Sequence, residues 1–140
     1  MSSRKPRGIR NNNPLNIRIG NSWMGEVQYP TDASFEQFVE MKWGVRAAFV
    51  ILRRYMNRYG LKTIPAIVSR WAPRNENDTL NYIKKVSELS GYDTTYVFTW
   101  ENRDEMRDLF KAMCIVENGV PITNKEIEDG YDLVGKTYAI

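Results

Sequence analysis

The sequence predicts an α+β fold: a mainly helical domain with a small antiparallel β-lobe at its N-terminal end. Two observations carry this. Apolar residues recur at steps of three and four in separate blocks after Met41, which is helical spacing, whereas the chain before Met41 sets short alternating apolar runs between Asn, Gly and Pro. The length of 140 residues suits one domain with one core, so residues 1–140 are read as a unit.

The elements follow in order. Residues 1–8, with Arg4, Lys5 and Arg7, read as a basic, flexible leader. Leu15, Ile17 and Ile19 then alternate with polar residues as a strand would; residues 27–29 supply a second strand, and 35–39 a third after the turn at Pro30. From Lys42 a helix carries Val45, Ala48, Ile51, Leu52, Tyr55 and Tyr59 on one side and Arg46, Arg53, Arg54 and Arg58 on the other, ending at Gly60. Thr63 caps a short helix with Pro65 in its first turn, which stops at Ala72 and Pro73. Asn77 or Asp78 caps the next, with Tyr82, Ile83, Val86 and Leu89 inward and Gly91 behind it. An aromatic connection over 92–100 leads to a long helix over 102–117, whose Asn102 and Glu105 form a capping box. Thr123 and Glu126 make another for the last helix, through Ile127, Tyr131 and Val134.

Composition narrows the chemistry. The chain has no histidine, which removes the commonest general base and the commonest metal ligand together. Its one cysteine, Cys114, forms no internal disulfide and reads as a small core group. No cofactor or metal is expected, for there is no phosphate-cradling glycine loop and no cluster of metal carboxylates. No apolar run approaches the roughly 18 residues of a membrane span, so membrane insertion is not expected. The basic start lacks the apolar stretch of a secretory signal, so the protein is expected to be made in the cytoplasm. Catalysis, if present, must run on carboxylates, which points toward glycoside chemistry. A net charge of +3 and a pI near 9.0 fit attraction to an anionic polymer.

Glu117 is the anomaly. Met106, Leu109, Phe110 and Met113 form the inward stripe of the long helix, and Glu117 falls four residues after Met113 on that stripe, just before Asn118 and Gly119. Helix-end carbonyls and partial burial both disfavour negative charge there, which suits a proton donor.

Three segments together resemble the lysozyme-like superfamily, in particular small phage-borne cell-wall lytic proteins. They are Arg10-Asn11-Asn12-Asn13-Pro14 with Trp23-Met24-Gly25 and Phe35-Glu36-Gln37-Phe38; Arg70-Trp71-Ala72-Pro73 leading to Asp78-Thr79 and Tyr82-Ile83; and Ala112 to Glu117 with Asn118-Gly119. The order of the segments differs from the usual one, with the Glu helix last, so the resemblance implies a circular permutation. It further implies a glycosidase or lytic transglycosylase acting on bacterial peptidoglycan, with Glu117 as general acid and Glu26 or Asp32 as the second carboxylate. Asn13, Asn16, Trp23, Tyr29, Trp71 and Tyr82 are the groups expected along a sugar-binding groove, through stacking and amide or hydroxyl hydrogen bonds. Without a signal, such a protein would reach the wall in a phage particle beside other virion components, through a holin, or by another export route.

The rival reading is a non-enzymatic virion or DNA-binding protein, favoured by the basic arm, the arginines of the helix from Lys42 and interleaved Tyr and Trp. Against it, 17 acidic residues offset the 20 basic ones and no nucleic-acid motif is present, so nucleic acid is not the expected partner.

Overall fold

A computed structural model describes residues 5–73 and 75–135. Among them the chain forms six helices, α1 (Arg7–Arg10), α2 (Met41–Tyr59), α3 (Ile64–Trp71), α4 (Glu76–Ser90), α5 (Arg103–Asn118) and α6 (Asn124–Val134). The α+β class is overturned. The described residues contain no sheet, only two isolated antiparallel bridges, Arg18 to Phe35 and Glu26 to Phe38. With it falls the β-lobe on which the permuted lysozyme-like arrangement rested.

The reason lies in how the segment before α2 uses its polar groups. Buried Asn13 donates from Nδ2 to Ile17 O (2.9 Å) and Glu36 O (3.0 Å), and its Oδ1 accepts the Ile17 N–H at 2.9 Å. Asn12 donates to Phe38 O. Asn12 and Asn16 take φ of 53° and 54°, the left-handed region that Asn tolerates, and each breaks an extended run. Side-chain amides thus replace a ladder, and the remaining backbone pairs are scattered: Ile19 N–H to Ser34 O, Glu36 N–H to Ile17 O, Val27 N–H to Gln37 O. The segment still buries Leu15, Ile17, Trp23 and Phe38.

The sequence placed the leader outside the fold. Arg4 lies outside the described residues, but Arg7 and Gly8 belong to α1, a single turn, and Gly8 is buried. A Cβ on Gly8 would come within 2.5 Å of Asn118 Oδ1 and 2.9 Å of Asn13 O, so α1 sits directly on the end of α5.

Helix α2 is the centre. Val45, Ala47, Ala48, Phe49, Val50, Leu52 and Met56 are all buried, a surface wider than the expected stripe, because α6 covers one side of the helix and the N-terminal segment another. Arg46, expected on the polar face, is buried here, and burial pushes its pKa down, helped by the charge of Arg53. Helix α6 approaches closely at Gly130, where a Cβ would collide with Val45 and lie 3.0 Å from the Arg46 nitrogen. Helix α5 buries Met106, Leu109, Phe110, Met113 and Cys114 between α4 and α6; burial lifts the Cys114 thiol to about 11. Among the described residues no helix is long and apolar enough to cross a membrane.

The caps follow the sequence closely. Thr63 accepts from the Ala66 N–H, and Thr123 and Glu126 form the reciprocal box. Asn102 caps α5 by accepting from the Glu105 N–H, but Glu105 is held by the Asn102 amide rather than by the cap's backbone. Helix α4 starts ahead of the expected cap. Asn75 accepts from the Asp78 N–H at 3.0 Å and donates to its carboxylate at 2.9 Å, which places Asn77 and Asp78 inside the first turn.

Candidate active site

The C-terminal turn of α5 is fixed by its neighbour in sequence. Asn118 donates from Nδ2 to Pro14 O at 2.8 Å and to Cys114 O at 3.0 Å, joining the helix end to the N-terminal segment. Gly119, at φ 77°, supplies the left-handed cap that stops the helix there. Glu117 is thereby held half-buried, with one donor on each oxygen: Asn16 Nδ2 lies 2.9 Å from Oε1 and the Tyr82 hydroxyl 3.0 Å from Oε2. Asn16 presents its amide from the left-handed position after Leu15. Tyr82 comes from α4 and is 5% exposed.

The carboxylate opens onto a cleft of about 490 Å³. The cleft is lined by Leu15, Asn16, Ile17, Arg18 and Phe35 of the N-terminal segment, Ile51 and Tyr55 of α2, and Trp71, Ala72 and Pro73 at the end of α3. Tyr55 and Trp71 meet edge to face, ring centroids 6.1 Å apart. Among the described residues Glu117 is the one carboxylate that lines it. Phe35, Tyr55 and Trp71 give the cleft aromatic surface, and Glu117, Asn16 and Arg18 give it polar groups.

The sequence candidates divide sharply. Glu117, Asn16, Tyr82 and Trp71 come together, Trp71 in the lining of the cleft and Tyr82 as a hydrogen-bond partner of the acid. Asn13 is no groove residue: its amide is fully engaged by the backbone of Ile17 and Glu36. Trp23 is buried in the core, and Tyr29 stands 81% exposed, outside the lining of the cleft.

Neither proposed second carboxylate lines the cleft. Asp32 takes a bidentate pair from Arg7, 2.8 Å on each oxygen, with the Asn11 amide and the Ser34 and Phe35 N–H groups completing it. Arg7 first, then the Ser34 N–H and Asn11, hold its carboxyl well below the usual range. It closes a turn. Glu26 faces Glu36, and burial, followed by the hydrogen bond and charge of Glu26, lifts Glu36 to about 7 against the pull of the Gly20 and Asn21 N–H groups.

Sequence reasoning missed Arg18, Phe35, Tyr55 and Glu36. Tyr55 read as core because it falls on the apolar stripe of α2. Arg18 gave no comparable signal, since the left-handed Asn16 breaks the alternation that would have set its face.

No family model matches the sequence. A curated relative does: over 131 residues the chain is 41% identical to Protein P5 of Pseudoalteromonas phage PM2, a match covering 90% of this chain and 80% of that protein. At that identity and coverage, this chain belongs to the family of the phage protein P5.

Proposed function

We propose that this protein cleaves the glycan strands of bacterial peptidoglycan, with Glu117 as general acid. One observation carries the reading: a half-buried carboxyl, held by Asn16 and Tyr82, lining a cleft with Phe35, Tyr55 and Trp71. Glu117 gives its proton to the bridging oxygen as the glycosidic bond breaks, and charge develops on the anomeric carbon. The Tyr82 hydroxyl can donate to the carboxylate or accept from the acid, so that contact survives both protonation states. With Glu26 and Asp32 engaged elsewhere, the favoured reaction is a lytic transglycosylation. A hydroxyl of the same sugar closes onto the anomeric carbon and gives its proton to Glu117, regenerating the acid and leaving an anhydro sugar. No water enters the balance.

The test is clearing of purified peptidoglycan. Wild type is expected to clear it, and Glu117→Gln to lose at least about a hundredfold in rate, the usual scale for general acid catalysis. Mass spectrometry of the released fragments should find the product lighter than its hydrolytic counterpart by one water. Undiminished clearing by Glu117→Gln would rule out this acid.

The rival, a virion or DNA-binding protein, keeps one observation. Arg53, Arg54 and Arg58, with Val50 and Asn57, line a shallow concavity of about 370 Å³ on α2 without an ion pair among the described residues, whereas the arginines of α5 are paired to Asp104, Asp108, Glu128 and Asp132. A wild type that never clears peptidoglycan but shifts DNA with steep salt dependence would favour it.

A further inference from the structure

Phe35 carries two guanidinium groups against its ring, Arg7 at 4.6 Å and Arg18 at 4.8 Å from the centroid. The two differ in what they hold. Arg7 is committed to Asp32 through both Nε and NH2. Arg18 makes no ion pair among the described residues, and it lines the cleft that holds Glu117. Stacking on an aromatic ring restrains a guanidinium while leaving its N–H edge open, and that planar fork matches a carboxylate in two-point contact. A neutral sugar gives no reason to hold a full positive charge in its groove. Glu117 does not account for it either, since its hydrogen bonds come from Asn16 and Tyr82.

Resting on the glycan-cleaving reading above, we infer that Arg18 is a specificity-determining residue that binds a free carboxylate of the peptide stems, so the cleft selects strands that still carry them. Peptidoglycan differs from neutral glycans of similar backbone in bearing short peptides with several free carboxylates. Arg18 and Phe35 line the cleft together with Asn16 and Glu117, so a stem gripped by Arg18 keeps its own sugar in the cleft that holds the Glu117 carboxyl. The contact selects substrate and takes no part in proton transfer.

The experiment measures equilibrium binding by titration calorimetry, using the full chain carrying Glu117→Gln so that the ligand is not consumed. The ligands are soluble peptidoglycan glycan fragments with stems intact and the same fragments with stems removed by an amidase and the lactyl carboxylates this exposes capped as amides. The stem-bearing fragment is expected to bind about tenfold more tightly, on the scale of one charge-assisted hydrogen-bonded contact. Arg18→Ala should erase that preference without changing affinity for the stripped fragment, Arg18→Lys should keep part of it, and added salt should weaken it. Arg18→Gln keeps the test readable if Arg18→Ala folds poorly. Equal affinity of the parent chain for the two fragments, or a preference that survives both neutral variants, overturns the inference. Release of soluble sugar by wild type is read separately: its absence overturns the catalytic reading and the substrate named here, whereas lost stem selectivity with turnover intact overturns this inference alone.

Discussion

Glu117 and Glu36 are both glutamates in partly or fully buried positions, and their partners give them different work. Glu117 receives an amide and a phenol, each with hydrogen to give. Glu36 is set beside another carboxyl, and burial first, then the neighbouring Glu26, favours its protonated form. The sign of the consequence can be worked out. The folded value of Glu36, about 7, lies above its ordinary 4.5, so the fold binds this proton more tightly than the unfolded chain does. Its contribution is complete below the ordinary value. It falls as pH rises from there, because the unfolded chain releases the proton first, and is gone above the folded value. The melting temperature of wild type should therefore fall between about pH 5 and about pH 8, and Glu36→Gln should flatten that slope. Thermal melts across the range check it; a variant as steep as wild type would refute the raised value of Glu36.

Among the elements, helix ends were the most legible part of the sequence. Thr63, Asn102 and Thr123 were readable as caps because a short polar side chain before an apolar run satisfies the first free N–H groups wherever it occurs. The N-terminal segment was not. Leu15, Ile17 and Ile19 alternate as in a strand, yet alternation records only which side is buried, and Asn12, Asn13 and Asn16 then decide the backbone by bonding across the segment. Asn13 was misread for the same cause: a side chain that replaces sheet hydrogen bonds looks, in sequence, like one waiting for a ligand. The carboxyl of Glu117 was legible because the periodicity of α5 is strong. The place of Arg18 on the same cleft was not, because its stacking on Phe35 depends on contacts across a turn. Thr123→Ala removes the side-chain half of the capping box at the start of α6, leaving the bond from the backbone N–H of position 123 to Glu126, and should cost about 1 kcal/mol of stability, read as a lower denaturant midpoint. Since α6 packs on α2 and not on the cleft, activity per folded molecule should be unchanged.

At the scale of the whole molecule, the groove is an assembly of segments far apart in the chain. The N-terminal segment, α2, the end of α3, α4 and the end of α5 each contribute, and α1 holds the joint. Gly8 is where that joint is tightest, against Asn13, Asn16 and Asn118. Gly8→Ala must push α1 off the end of α5, at a cost of about 1–3 kcal/mol typical of overpacking. It should reduce peptidoglycan clearing by more than the lost folded fraction explains, since Asn16 and Asn118 shift before the α2 and α6 core does. Clearing that tracks the folded fraction alone would show the joint to be merely structural.

The bond from Asn16 to Glu117 spans 101 positions, and that from Pro14 to Asn118 spans 104. A ribosome must therefore add 101 residues after Asn16 before the glutamate can meet it, and until then the emerging polypeptide carries no finished groove. Severing the polymer in the loop after Gly60 should leave two inert halves, each with one jaw, that regain function only when mixed.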